Sequence, residues 1–99
     1  MWQVKIEDEA AKIFESDELS EDDKAIIQTW AQTVADHGPY ELQKKPSVWA
    51  DHALSGQWQG YRASSFGYKG RIIYKVEDKV ITVIVVRITT DHNYRKEKE

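Results

Sequence analysis

The 99-residue chain contains no cysteine, a single methionine and two prolines, and these shortages narrow what it can be. Without cysteine it has neither a disulfide framework nor a thiolate metal site. It lacks an apolar run of the length that spans a membrane, so no membrane partner is expected. The N-terminal residues MWQVKIED also lack the basic start and apolar stretch of a secretion signal, which favours a cytoplasmic protein.

Several catalytic signatures are missing as well. No G-x-S-x-G element surrounds Ser64 or Ser65, and no Walker loop is present, so an esterase and a nucleotide-driven motor are not supported. His37, His52 and His92 stand far apart in the chain with no local pair of ligands, so we expect neither a metal nor another cofactor.

Charge is divided unevenly along the chain, whose net charge is −3. Residues 1–45 carry five lysines against eleven acids, whereas residues 46–99 carry nine lysines and arginines against six acids. This asymmetry favours a basic face turned toward phosphate. An acidic, solvated helix face would produce the same counts.

The N-terminal half has the pattern of one strand followed by two helices. Alternating apolar residues predict a strand over residues 2–7, and a first helical segment follows it. Ser20 is the predicted N-cap of a second helix of about 16 residues, which ends at Gly38-Pro39. Its apolar stripe consists of Ile26, Ile27, Trp30 and Val34, with Ala31 as a further candidate.

The second half reads as a three-stranded meander. We predict strands over 58–66, 71–76 and 80–88, with a short turn at residues 77–79 and the last strand buried on both faces. At this length the chain makes one domain, residues 1–99. The predicted fold is α+β, in which an N-terminal strand and two helices pack on an antiparallel sheet that ends in the meander. Trp30, Trp49 and Trp58 are expected in the core or at its rim.

Two short segments, WADHALSGQWQGYR at 49–62 and RITTDHNYR at 87–95, hold the residue types that RNA cleavage requires. The reaction needs a base for the 2′-hydroxyl, an acid for the leaving oxygen and positive charge at the phosphate. His52 lies in the predicted turn before the meander and His92 just after it. Depending on strand pairing, Arg62, Arg71 and Arg87 can project toward one face. Three tyrosines can stack on unpaired bases: Tyr61, Tyr68 and Tyr94.

These assignments have simpler alternatives, because a histidine in a turn is often just solvated and arginines on a sheet often serve solubility. The segments themselves, however, resemble a known family. The run DHALSGQWQGYR at 51–62, RIIY at 71–74, and then Arg87 and His92 are similar to the RelE/ParE toxin superfamily of bacterial toxin–antitoxin pairs, YafQ and HigB types in particular. The resemblance covers about residues 48–94.

The resemblance implies a RelE-like fold and a ribosome-dependent endoribonuclease that cuts messenger RNA and is silenced by a cognate antitoxin. His52 and His92 would be its acid–base pair, and Asp91 would orient His92. Arg87 would stabilise the phosphorane, and the residues implied in RNA binding are Arg62, Lys69, Arg71 and Tyr94.

The chain departs from the YafQ pattern at two acid–base positions, where it has Ser65 and Lys69 in place of histidine and aspartate. Its sequence pI of about 5.6 is also low for a protein that meets ribosomal RNA. These departures favour an alternative function: a binding module of the same fold that does not cut RNA, either a ParE-like gyrase inhibitor or an inactive antitoxin-binding homologue.

Overall fold

The computed structural model describes residues 2–66 and 70–88. Within them, four α-helices and five strands form one helical layer on one sheet, so the predicted α+β class is confirmed. In chain order the elements are β1 (Gln3–Ile6), α1 (Asp8–Phe14), α2 (Glu21–His37), α3 (Tyr40–Gln43), α4 (Pro46–Trp49), β2 (His52–Ala53), β3 (Arg62–Phe66), β4 (Gly70–Glu77) and β5 (Val80–Ile88). None of the described helices is long and apolar enough to cross a membrane.

The sheet has the strand order β1-β5-β4-β3-β2. β2, β3, β4 and β5 pair antiparallel, as the meander requires, but β1 pairs parallel to β5. The predicted all-antiparallel sheet is therefore wrong at this edge. The reason is topological: α1 and α2 carry the chain across the sheet after β1, and the hairpins then bring β5 back alongside β1 in the same direction.

Helix α2 begins and ends where its sequence predicts. Ser20 accepts a hydrogen bond from the backbone of Asp23 at 3.0 Å, and the Asp23 carboxylate accepts one from the backbone of Ser20 at 3.4 Å, which forms a capping box. Gly38 ends the helix with φ of +86°, where a Cβ would lie 2.8 Å from the Trp2 indole nitrogen. Glycine is required here both by the backbone conformation and by the ring packed against it.

The meander differs from its prediction mainly at its first strand. β3 begins at Arg62 rather than at residue 58, because Gly56–Trp58 forms a 3₁₀ turn. β5 has the predicted bounds, and Asp78 and Lys79 form a tight hairpin turn with φ of 50° and 66°. β5 lies between β1 and β4 in the sheet, but the prediction that it is buried on both faces is wrong, since Thr82 and Ile84 stay partly exposed.

The core lies between the helices and one face of the sheet. Trp30, Leu42 and Trp49 contribute from the helices, and the sheet supplies Phe66, Ile72, Tyr74, Ile81, Val83 and Val86. Trp30 and Tyr74 meet edge to face, with ring centroids 5.2 Å apart. Each large apolar side chain buried in this way contributes about 1.5–3 kcal/mol. The expected positions of the tryptophans are confirmed, with Trp58 partly exposed at the rim.

Candidate functional site

The face of the sheet turned away from the helices, called the open face below, carries several of the predicted site residues. Strand register decides which ones, because residues paired across neighbouring strands project to the same side. One row across the sheet runs from His52 to Ala63 and Ile73. The next row on the same face, two residues along the strands, runs from Ser65 to Arg71 and Arg87. His52, Arg71 and Arg87 therefore share the open face.

His52 occupies β2, the two-residue strand at the sheet edge, rather than the predicted turn. Its side chain is exposed, and its Nδ1 lies 2.9 Å from the backbone oxygen of Ala50. A carbonyl oxygen only accepts, so this bond requires the proton of the neutral ring to be on Nδ1. Nε2 then carries the free lone pair, which is the form that can take a proton from a substrate hydroxyl.

Arg71 and Arg87 are directly opposite each other on β4 and β5, and both are exposed. Two like charges at facing positions repel each other unless an anion lies between them. Arg71 also donates a hydrogen bond to the Ser65 hydroxyl at 2.9 Å. From strand spacing, the Cα of Arg71 is about 12 Å from that of His52, a span that the two side chains and a phosphate can bridge.

Arg62 does not join this pair, so the prediction that three arginines share one face is wrong. Arg62 pairs with Tyr74, whereas Arg71 pairs with Ser65, and these positions alternate along the strands. Arg62 therefore projects to the helical side. There its Nε and Nη2 both donate to the Asp51 carboxylate at 2.7 Å.

Asp51 is the centre of a buried polar cluster, called the Asp51 site below. Its side chain has no exposed surface, and Arg62 binds Oδ1. The Ser64 hydroxyl donates to Oδ2 at 2.6 Å, and the Tyr74 hydroxyl donates to the same oxygen. Ser64 in turn accepts a hydrogen bond from the Trp30 indole at 3.0 Å. The site thus joins β3, β4, α2 and the segment that precedes β2.

The environment of the Asp51 site shifts the acidity of two partners. Burial, together with the hydrogen bond to Asp51, raises the pKa of Tyr74 far above its ordinary value of 10. Burial alone would lower the pKa of Arg62, but the hydrogen bond and the charge of Asp51 outweigh it, so the pKa of Arg62 is raised. Tyr74 is therefore a neutral donor and Arg62 a permanent cation, as a buried carboxylate needs.

Asp51 belongs to the 51–62 motif but had no predicted role, and neither Ser64 nor Tyr74 was predicted as a site residue. The available signal was the pair of Asp51, directly before His52, and Arg62, eleven residues after Asp51. Their pairing could not be inferred because β2 itself was not predicted. Tyr61, a proposed stacking residue, packs edge to face against Trp58, with the ring centroids 5.3 Å apart.

The remaining predicted site residues lie outside the described part of the chain: Lys69, Asp91, His92 and Tyr94. Tyr68 lies outside it too. Among residues 2–66 and 70–88, no three histidine, aspartate or glutamate side chains are grouped so that they could hold a metal ion.

Solved structures provide the informative comparison. YafQ from E. coli strain BL21(DE3) superposes with a TM-score of 0.69 at 18% identity, covering 90% of this chain and 94% of YafQ. A chain of the E. coli DinJ-YafQ complex gives 0.70 at 18% identity, covering 89% and 93%. The YoeB dimer from Staphylococcus aureus gives 0.67 at 13% identity, covering 90% and 98%.

No family model matches the sequence, and no curated protein does so either. The structural likeness nevertheless extends over nearly the whole of each chain, including the helical half that the sequence motif did not cover. YafQ and YoeB are toxins of the RelE/ParE type. This chain therefore has the fold of the RelE/ParE-type toxins, as the resemblance of its second half predicted.

Proposed function

We propose that this protein is the toxin of a type II toxin–antitoxin pair and that it cleaves messenger RNA on the ribosome. The observation that carries the proposal is the sharing of one open sheet face by His52, Arg71 and Arg87. The fold supports it, because YafQ and YoeB have the same architecture. The DinJ-YafQ and YoeB-YefM complexes support a cognate antitoxin as the partner that silences it.

The chemistry assigned to the described residues follows from their positions. His52 acts as an acid–base group, since its side chain is exposed and its Nδ1 donates to Ala50, which leaves the lone pair of Nε2 free. Arg71 and Arg87 bind the scissile phosphate between them and stabilise the charge that develops on its oxygens. Arg62 is excluded from this role because two of its nitrogens bind Asp51.

His92 completes the acid–base pair in this proposal, with Asp91 as its orienting carboxylate. Lys69 and Tyr94 contact the RNA, the first as a cation and the second as a stacking ring. These four assignments rest on the sequence resemblance. Because cleavage needs both a base and an acid, removal of either histidine should abolish it.

The test is inducible expression in bacteria of the wild type beside a His52→Ala/His92→Ala double variant, followed by primer extension on translated messages. New 5′ ends that depend on translation, in phase with codons and absent from the double variant, are expected. Purified ribosomes with a defined message provide the matching assay in vitro. Cuts of equal yield in the folded double variant would refute the assignment.

The arginine pair has a matched control on the same strand. Arg71→Ala and Arg87→Ala should each slow cleavage by about 100-fold or more, as expected for loss of a donor to the developing charge. Lys75→Ala removes the same charge from β4 but at the hairpin end, where Lys75 lies 3.6 Å from Glu77. Its cleavage rate should stay within about 3-fold of wild type, as for an exposed ion pair. Equal losses in all three variants would indicate a general charge effect instead.

Ser65 favours a second candidate function, the non-nuclease binding module. It lies in the same row as Arg71 and Arg87 and accepts a hydrogen bond from Arg71, but a serine hydroxyl is a poor acid or base at neutral pH. Among the described residues of these two rows, His52 is the single acid–base side chain. Growth arrest without new 5′ ends would favour a gyrase inhibitor, and no arrest would favour an inactive antitoxin-binding homologue.

A further inference from the structure

We infer that Asp51 is a positioning residue for His52, which it fixes from the opposite side of the sheet in the ring form that can accept a proton. The inference deepens the proposed nuclease function and depends on that function for its catalytic meaning. Its structural content, the control of one histidine by a buried carboxylate, is testable without any cleavage assay.

His52 needs such an anchor because little else among the described residues holds it. β2 contains only two residues and pairs with β3 at the sheet edge, so few backbone hydrogen bonds fix it. The ring itself is exposed, and packing therefore does not set its orientation. The one hydrogen bond that selects its protonation site is donated by its Nδ1 to the carbonyl oxygen of Ala50.

That carbonyl is presented by an uncommon backbone conformation. Ala50 ends α4 in the left-handed region, with φ of 47° and ψ of 41°, which a residue with a Cβ adopts only when its surroundings hold it there. The reversal brings the Ala50 oxygen to 2.9 Å from the ring two residues later. Any relaxation of residues 50–52 would lengthen or break this bond.

Asp51 lies between these two residues and is the best fixed side chain of the segment. Its two oxygens receive donors from two strands, Arg62 and Ser64 on β3 and Tyr74 on β4. Charge-assisted bonds of this kind are the stronger class, and here they are also buried. Residues 50 and 52 are therefore held from the helical side, while the His52 ring remains free on the open face.

The ring form that results is the one a general base requires. When Nδ1 is protonated, the neutral ring presents the lone pair of Nε2 outward, toward the face that carries Arg71 and Arg87. If the segment relaxed, the ring would exchange between both protonation sites, and part of the population would present a donor instead of a base.

The spectroscopic test measures the protonation site of His52 directly. Nitrogen-15 spectra of the full chain at alkaline pH distinguish the two neutral forms of the ring, and a His52→Gln variant assigns the signal among the three histidines. Wild type should show mainly the Nδ1-protonated form. Asp51→Asn should shift His52 to a mixture of both forms, because an amide cannot accept from all three donors.

Two milder variants guard against loss of the fold. Ser64→Ala and Tyr74→Phe each remove one donor to Oδ2 and leave the pair with Arg62 in place, so each should give a smaller shift than Asp51→Asn. Ile81→Val, a buried change on β5, is the control for general destabilisation and should leave the His52 signal unchanged. A wild-type signal in all three folded Asp51-site variants overturns the inference.

Cleavage kinetics test whether the positioning of His52 by Asp51 matters for catalysis. Asp51→Asn should lower the single-turnover rate by about 100-fold, the cost of misplacing a reacting group by about 1 Å, and should move the acidic limb of the pH–rate profile. Ile81→Val should lower the amount of folded enzyme without moving that limb. If the wild type does not cut RNA, the proposed function fails while the nitrogen-15 result still decides the positioning role. A shifted protonation site with an unchanged cleavage rate would overturn the catalytic part alone.

Discussion

Removing the Asp51 carboxylate should destabilise the fold strongly, whatever the protein does. Asp51→Ala leaves the Arg62 guanidinium without its counter-charge and the hydroxyls of Ser64 and Tyr74 without their acceptor. Loss of one partner of a buried ion pair costs about 3–5 kcal/mol. The Arg62 side chain retains 27% of its exposure, so water offsets part of the penalty and the lower end, about 3 kcal/mol, is expected.

This value is large against the stability of a small domain, about 5–15 kcal/mol. It corresponds to a fall in Tm of about 12 °C or more for a chain of this size. Urea unfolding followed by tryptophan fluorescence measures it, with an unchanged m-value as the check that the folded state is intact.

A double-mutant cycle separates the pair from general disruption. Asp51→Ala/Arg62→Met removes both charges, so its cost should be smaller than the sum of the single costs by about 1–3 kcal/mol. The exposed Lys75–Glu77 pair, 3.6 Å apart, is the control and should show a coupling below about 1 kcal/mol. If the Asp51 and Arg62 costs add within about 0.5 kcal/mol, the reasoning about the site is refuted.

Three further predictions concern stability. Because the pKa of folded Tyr74 is raised, its stabilising contribution is complete below pH 10 and is lost as the pH rises toward the folded pKa. The free energy of unfolding should therefore fall above pH 10, and Tyr74→Phe should flatten that fall. An unchanged slope in the variant would contradict this prediction. Gly38→Ala should lower the free energy of unfolding more than Gly56→Ala, since both glycines have positive φ but a Cβ would meet the Trp2 ring only at residue 38. Equal losses of this free energy in urea unfolding would exclude a role for the ring. Ser20→Ala should cost about 1 kcal/mol through loss of the capping box, measured by the same method, and a neutral change would show that the cap contributes nothing.

The amino-acid sequence alone determined those helices and strands whose ends and type depend only on a few neighbouring residues. Ser20 and Gly38 mark the ends of α2 because capping and helix termination are local hydrogen-bonding and backbone effects. Alternating and β-branched residues likewise located β1 and β5. The similarity of the 51–62 motif to RelE/ParE toxins then predicted a fold that the comparisons bear out over about nine-tenths of the chain.

Tertiary structure decided the direction of β1, the existence of β2 and the face on which each arginine lies. These depend on pairing between distant segments, and a shift of one residue in register moves a side chain to the other side of a sheet. The sequence alone placed Arg62 with Arg71 and Arg87. The register places it beside Asp51 instead, because only the folded sheet brings this buried carboxylate and a guanidinium eleven residues away in sequence into contact.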